Sequence, residues 1–498
     1  MGGAKRLASQ EKVSSWSAGA RSRTSGWLVQ IVAGFLLMQS AWILAVPAFR
    51  GVDEFEHAHR AASVADGHWA PATEAAVAGR GRLVSSTHKL VEAAQSQCEF
   101  YIYTRPDNCR AVRDLGDGDV AIASAATDQP PTIYALVGYP STVADGTASL
   151  YVMRACAAVL CTLMIGLGVW ALRQWANGPW PLMTLLAATT PVAVYSTVIP
   201  SGNGLEMVSG FALWCTLLGL SAVRDVRRQR LLLLACAPPL AFLCGLRQLG
   251  PVMAVGIILI ALVLLGRRRA NMVYREHRRT VVWLGVVALA SAVSQAAWVL
   301  VASRYPAGPT DPVWAAPSLA GTTSFGRYNL QWLLQSFAAF PTRTEPAPPV
   351  VYAVLLLTSI AMVTYAFWRA RGRSRAALVM IIMLSVLLPV VFTLTYWEPA
   401  KWQGRYGLAL AAGCFLVAGH VLDARSRPPA LPWVLLWVLS IGAMHVVSVV
   451  GLRRFAEPPV GILLPALLMA GGWLLVAVAA VRMRKPASVT VEPGVVGG

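Results

Sequence analysis

The chain has 498 residues, 56% hydrophobic and only 13% charged, with a formal net charge of +19. That balance is too apolar for an ordinary soluble protein. The positive charge would suit nucleic acid, but its distribution argues against that partner and for a membrane.

Apolar runs long enough to cross a hydrocarbon core of roughly 30 Å recur along the chain, near 27–47, 149–172, 180–199, 205–223, 231–248, 250–266, 281–303, 350–368, 376–396, 406–422, 431–450 and 460–481. They predict an all-α polytopic membrane protein of about twelve transmembrane helices. Only Arg247 to Gly250 separates the fifth run from the sixth, which reads either as a helical hairpin or as one broken helix. The first run follows a basic tail and lacks a small-x-small site, so it reads as a retained anchor rather than a cleaved signal. The predicted organisation is a cytoplasmic tail at 1–26, a membrane domain at 27–481 and a cytoplasmic tail at 482–498.

With the N-terminus inside, the inner segments carry 25 of the 42 Lys/Arg and 5 of the 23 Asp/Glu. The basic excess lies on one face, as the positive-inside rule expects. Clusters such as Arg224–Arg230, Arg267–Arg279 and Arg369–Arg375 read as topology determinants and lipid-headgroup contacts. An even number of spans places both termini in the cytoplasm.

Two large outer loops are expected, at 48–148 and 304–349. In the first, residues 53–65 have helical character, with Asp53, His57 and Arg60 on one face. In the second, Leu330, Leu333, Leu334 and Phe337 form an apolar stripe over 329–340. Both read as helices lying along the outer surface, as covers of a lipid-accessible groove or as plain caps of the bundle. Residues 104–128, with Asp107, Asp114, Asp117 and Asp119 among glycines, lack the full calcium-loop pattern and read as a solvated loop. Cys98 and Cys109 share the first outer loop and suit a disulfide in an oxidising exterior. The other six cysteines lie in apolar runs as packing residues.

Several short motifs carry polar chemistry. Asp53-Glu54 follows the first span; carboxylates there accept a proton from a hydroxyl, hold a divalent cation against a phosphate, or pair with Arg50 or Arg60. Thr127-Asp128-Gln129-Pro130-Pro131-Thr132-Ile133-Tyr134 ends the first loop, where two prolines deny helix and offer Asp128, Gln129 and Tyr134 to a cleft. In Glu398-Pro399-Ala400-Lys401-Trp402-Gln403-Gly404-Arg405-Tyr406, Arg405 suits bidentate phosphate contact or a salt bridge with Glu398. Gly404 allows close backbone approach, and Trp402 and Tyr406 can stack on a sugar or anchor at the interface. Arg247, at the outer end of a hairpin, needs an anionic partner in protein or lipid. Ser201-Gly202-Asn203-Gly204-Leu205-Glu206 makes a tight turn placing Glu206 at a helix start. No P-loop, dinucleotide fingerprint, zinc-protease motif or nucleophile elbow occurs.

The order of these motifs resembles the bacterial membrane-protein family DUF2142: one span, Asp-Glu with a nearby His, Gln-Pro-Pro-x-x-Tyr into the second span, and Gln-Gly-Arg-Tyr into a late one. That family is similar in turn to the C-type (GT-C) glycosyltransferases, which use lipid-phosphate sugars. The resemblance covers roughly 27–450 and implies a GT-C-like fold in the bacterial plasma membrane. It gives Asp53, with Glu54 beside it, the role of base or metal ligand, and Arg405 and Arg247 the donor phosphate. His57, Arg60, Asp128, Gln129, Tyr134, Gln403 and Tyr406 join them as candidate substrate contacts. The implied cofactor is a divalent cation, magnesium or manganese. The implied partners are a polyprenyl-phosphate sugar, membrane lipids and a cell-envelope glycan, glycolipid or protein acceptor. Two departures stand out: Gly51-Val52 where the family often has prolines, and Asn203-Gly204 where it often has an Asp. The expected activity is inverting sugar transfer on the extracytoplasmic side. The rivals are a transporter or flippase of lipid-linked saccharides and a non-catalytic envelope-assembly scaffold.

Overall fold

The computed structural model describes residues 26–77, 80–97, 110–308, 322–341, 345–396 and 402–483. Cys98, Cys109, Glu398 and both terminal tails lie outside the described residues.

The first span is α1 (Gly26–Ala45). The loop after it folds as a small α/β cap: α2 (Glu54–Ala65), β1 (Arg82–Thr87), α3 (His88–Gln95), β2 (Arg113–Gly116), β3 (Asp119–Ser124) and α4 (Thr132–Ser141). The strands form an antiparallel sheet in the order β1-β3-β2. The chain is otherwise helical, as expected; this small sheet is a local addition, and it corrects the solvated-loop reading over residues 110–128, the described part of 104–128. The physical reason is legible afterwards. Gly116, Asp117 and Gly118 all take positive φ, which glycine adopts without steric cost and Asp tolerates, and they turn β2 into β3. Val120 and Ile122 then face the core while Asp119 sits at the strand start.

The α2 helix exists as expected but does not lie on the surface. Ten of its twelve residues are buried, including Glu54, Glu56, His57, His59 and Arg60. It is roofed by β1 and β3 and packed against α4. A β-carbon on Gly138 of α4 would strike the Ala61 carbonyl of α2, so a residue without a side chain allows that close approach.

The membrane part continues with α5 (Gly146–Trp175), α6 (Trp180–Ala188), α7 (Pro191–Ser196), α8 (Gly202–Ala222), α9 (Val226–Ala235), α10 (Ala237–Leu246), α11 (Gly250–Leu265), α12 (Arg267–Glu276) and α13 (Arg278–Ala302). It ends with α14 (Thr322–Phe337), α15 (Pro349–Arg369), α16 (Arg373–Tyr396), α17 (Leu408–Ala411), α18 (Gly413–Arg425), α19 (Leu431–Gly451) and α20 (Leu463–Arg482). Among the described residues, ten helices are long and apolar enough to cross a membrane, or eleven if the pair α11 and α12, bent by 107°, counts as one span.

Two runs fall short of a full span: that at 180–199, which breaks, and that at 250–266, where α11 has only 16 residues. The run at 180–199 breaks at Thr189-Thr190, because Pro191 has no N–H to continue α6 and holds Thr190 extended; Thr190 then caps α7 by accepting from the Ala193 N–H. Near 250, α10 ends at Leu246, Arg247 is extended, and α11 restarts with Pro251 in its first turn. The fifth and sixth runs are therefore separate helices.

α8 is the bundle's centre, with 83% of its apolar window buried, and it packs against α5, α10, α11, α17 and α18. Lipid tails are as apolar as the side chains they meet, so close packing of small residues carries much of such association. Gly210 meets Ala409, and Gly168 meets Ala212. The expected helix in the second loop is α14, but its leucine stripe is not the buried face. Leu330 and Leu333 are exposed, while Trp332, Gln335 and Phe337 are buried.

Candidate functional site

The Asp-Glu pair after α1 divides at its shared peptide bond. Glu54 is fully buried against Arg154, a cation inside the apolar α5. Arg154 Nε donates to Glu54 Oε1 and Nη2 to Oε2, both at 2.6 Å. Its remaining donors reach the carbonyls of Ile43, Val46 and Pro47. All five guanidinium protons thus have acceptors, and three of those acceptors are carbonyls at the end of α1, which has no further helical turn to satisfy them. Glu54 also accepts from the Gly51 N–H (3.1 Å). Its carboxylate is committed to structure, so the geometry does not support Glu54 as a catalytic partner. Arg154 escaped the sequence reading, although a lone Arg in an apolar span is itself a signal.

The two residues before the pair are both tied in by their backbone N–H groups. Gly51 donates its N–H to Glu54, and Val52 donates its own to Tyr195 Oη (3.0 Å). A proline at either position would remove a donor in use.

Asp53 caps α2 through its backbone in the left-handed conformation (φ 53°), and its side chain makes no capping bond. The carboxylate points instead between two guanidiniums, with Oδ1 3.5 Å from Arg80 Nη2 and Oδ2 3.7 Å from Arg405 Nη2. Arg80 also donates to Glu56 Oε1 from Nε (3.1 Å) and Nη2 (2.8 Å). The acidic neighbour of Asp53 is therefore Glu56, one turn along α2, with Arg80 between them. Burial pushes the Glu56 carboxyl up to about 7, against the lowering pull of Arg80. Arg80 and Glu56 were both missed; the Arg80-Gly81-Arg82 alternation was the available hint.

His57, Tyr134 and Gln129 form a chain behind Asp53. Tyr134 Oη donates to Gln129 Oε1 (3.1 Å) and lies 2.8 Å from His57 Nδ1. With the phenol proton spent on Gln129, His57 Nδ1 carries the proton of the second bond. Burial holds His57 neutral, with its pKa lowered to about 4 even though Asp53 pulls the other way. This joins three residues that the sequence put in separate motifs.

Asp128, Gln129, Glu206, Arg247, Gln248 and Tyr406 share one cavity of about 260 Å³, with Gln295 of α13 and Phe392 of α16 in its wall. Asp128 is held by the buried Arg82, whose Nη1 donates to Oδ1 at 2.6 Å. Arg82 Nη2 donates to the Ala302 carbonyl at the end of α13 (2.7 Å). Arg247 is balanced by Glu206 (3.4 Å) and donates to Asn203 Oδ1. Asn203 thus holds Arg247 without a second negative charge. The Arg247 guanidinium lies 4.4 Å from the Tyr406 ring centre, a cation–π contact.

The Arg405 guanidinium also lies near this ring, 5.7 Å from its centre. It is 4% exposed, and its Nε and Nη2 have no hydrogen-bond acceptor. Gly404 fixes its position: the Gly404 N–H donates to Gln335 Oε1 of α14 (3.1 Å), and a β-carbon there would strike the Trp332 carbonyl. The close approach expected of Gly404 is to protein backbone.

Asp53, His57, Tyr134 and Arg405 are not among the residues that line the cavity, and three further candidates turn to other parts of the protein. Arg60 turns to the loop after α2, donating to the carbonyls of His68 and Ala70, with Trp298 beside it. Gln403 is buried, with its Oε1 lacking a donor, and does not line the cavity. Trp402 packs edge-on against Phe392 and Tyr406 and is 2% exposed, so it is core rather than a sugar platform.

The donor set at Asp53 does not fit a divalent cation: its two ion-pair partners are guanidiniums. Among the described residues no group of three or more His, Cys, Asp or Glu could hold a metal. The same arrangement fits an anion beside a carboxylate.

The profile of the family described as predicted membrane protein (DUF2142) matches residues 36–414. No curated protein matches the chain. The chain belongs to the DUF2142 family, and the match runs through every element of the site, from the end of α1 to the Gln403–Tyr406 segment.

Proposed function

From that membership and this geometry, we propose that the protein is an inverting glycosyltransferase of the bacterial plasma membrane, acting on the extracytoplasmic side with both termini in the cytoplasm. Its donor is a polyprenyl-phosphate sugar, and its acceptor is a hydroxyl of a cell-envelope glycan, glycolipid or protein. The observation that supports the reading is the convergence of three distant segments, through Asp128-Gln129, Arg247 and Tyr406, on one cavity, with Arg405, the ion-pair partner of Asp53, against the Tyr406 ring.

The cavity wall supports a lipid-borne donor. Gln295 and Phe392 come from α13 and α16, whose apolar windows are only 11% and 22% buried. Helices so exposed face lipid, and a prenyl chain can lie along them while its headgroup enters the cavity.

In the proposed reaction the acceptor oxygen bonds to the anomeric carbon as the bond from that carbon to the phosphate oxygen breaks. Polyprenyl phosphate leaves with the electron pair. Arg405 neutralises the charge that grows on the leaving phosphate, a contribution that often dominates such catalysis. The hydroxyl proton passes to Asp53. A carboxylate between two guanidiniums is a weak base, which suits a hydroxyl that acidifies only as its bond to carbon forms. His57, through Tyr134 and Gln129, holds the cavity edge in register with α2.

The test is transfer from a radiolabelled polyprenyl-phosphate sugar to envelope acceptors by purified protein in liposomes. Wild-type protein forms a new glycosidic bond, and Asp53→Asn slows turnover by about a hundredfold or more with donor binding kept. Full activity in Asp53→Asn removes Asp53 as base. Donor scrambling across the bilayer without bond formation replaces the enzyme by a lipid-linked saccharide transporter.

A further inference from the structure

The cavity's unused hydrogen-bonding capacity has a definite sign. Glu206 Oε1 and Gln295 Oε1 are both buried within its lining and have no donor. Glu206 is 3% exposed and Gln295 4%. A buried acceptor left without a donor costs about 1–3 kcal/mol, so two in one cavity mark where a ligand supplies protons. The cations nearby cannot. Arg247 is engaged with Asn203, Glu206 and the Tyr406 ring, and Arg82 with Asp128 and two backbone carbonyls.

Charge and volume narrow the ligand. Both lining carboxylates, Asp128 and Glu206, already have a guanidinium each. The charges at the lining are thus balanced, and a charged group of either sign on the sugar would find no free counter-ion there. A cavity of about 150 Å³ accepts benzene, so one of about 260 Å³ has room for a pyranose ring.

We propose that this cavity is the subsite for the donor's sugar, and that the sugar is one uncharged polyhydroxylated pyranose whose hydroxyls donate to Glu206 and Gln295. Arg247 is then a wall of the sugar subsite, and Arg405 alone receives the phosphate. This rests on the glycosyltransferase reading for the donor's phosphate, while the subsite's preference can be measured without turnover.

Binding of four short-chain probes to the full-length protein in detergent tests it by calorimetry: farnesyl phosphate, and its conjugates with a neutral hexose, a hexuronic acid and an amino-hexose. The hexose conjugate is expected to bind at least about tenfold tighter than the other three, the equivalent of one or two buried hydrogen bonds. Gln295→Met should remove most of that advantage and leave farnesyl phosphate binding unchanged. Equal or tighter binding of the uronic or amino conjugate overturns the inference, as does a hexose that adds nothing to farnesyl phosphate. These arms use the wild-type protein and stand even if the variant does not fold. Running transfer on the same probes separates the two readings. Hexose-selective binding with no transfer removes the enzyme and keeps the subsite, while transfer chiefly from the uronic conjugate keeps the enzyme and removes the subsite.

Discussion

Asp53 and Glu54 share a peptide bond and face opposite surroundings. Glu54 is sealed against Arg154 with two 2.6 Å contacts, while the Asp53 carboxylate stands 21% exposed between Arg80 and Arg405. The first ties α1 to α5; the second is held between Arg80 and Arg405, whose guanidinium neighbours the Tyr406 ring. The left-handed backbone at Asp53 turns the two side chains apart, and the buried ion pair next door holds that conformation in place.

Glu54 and Arg154 should therefore behave as a structural unit. Arg154→Met leaves a buried carboxylate without its cation, a change that costs about 3–5 kcal/mol. The double variant Glu54→Leu with Arg154→Met should recover part of that loss. The unrecovered part measures the three carbonyls that Arg154 serves at and just past the end of α1, those of Ile43, Val46 and Pro47. Thermal unfolding in detergent checks it, and a double variant worse than the single one would contradict the pairing.

Arg405 and Arg247 should separate in their effects. Arg405→Gln removes a buried guanidinium with acceptor-free donors and should weaken farnesyl phosphate binding by about ten- to a hundredfold, the range of a charge-assisted hydrogen bond. Arg247→Gln leaves Glu206 unbalanced, and so should lower thermal stability while changing farnesyl phosphate binding much less. Equal losses of phosphate affinity in the two variants would place both at the phosphate.

Gly404→Ala should be disproportionate for one methyl group. The new carbon meets the Trp332 carbonyl of α14, which is backbone and cannot swing aside. An overpacking cost of about 1–3 kcal/mol is expected, with Arg405 and Tyr406 displaced from their partners. Stability and transfer should fall together, and a silent Gly404→Ala would show that α14 yields.

The cap should respond to pH in two opposed ways. Burial lowers His57 to about 4 and His59 to about 3, from an ordinary 6.5. Their neutral forms suit the fold, so their contribution is complete above pH 6.5 and declines as pH falls toward those values. By pH 5 this amounts to about 2 kcal/mol for each. Glu56, raised from 4.5 to about 7 mainly by burial, has the opposite sign: its contribution is present below pH 4.5 and is lost as pH rises to about 7. Unfolding midpoints between pH 4.5 and 8 should show His59→Gln reducing the acid-side loss and Glu56→Gln removing the decline toward neutrality. Unchanged slopes in both variants would sink the assignment.

Much of this molecule is decided by local chemistry that a sequence exposes. The membrane spans follow from apolar length, because hydrocarbon admits only chains whose backbone bonds are satisfied within the helix. The breaks at Pro191 and Pro251 follow from a missing N–H, and Asp53, Asp128, Gln129, Arg247, Arg405 and Tyr406 announce themselves as polar groups at the ends of apolar runs. Which of them meet is not local. Glu56 rather than Glu54 became the neighbour of Asp53 because helical periodicity and the Arg154 clamp, 100 residues away, turned Glu54 inward. The β-sheet, the burial of α2 and the engagement of Arg247 by Asn203 and Glu206 depend on contacts between segments far apart in the chain. Residue type supplied the candidate charges; only packing determined which had every donor hydrogen-bonded within the protein, as Arg154 does, and which, Arg405 foremost, kept donors without an acceptor.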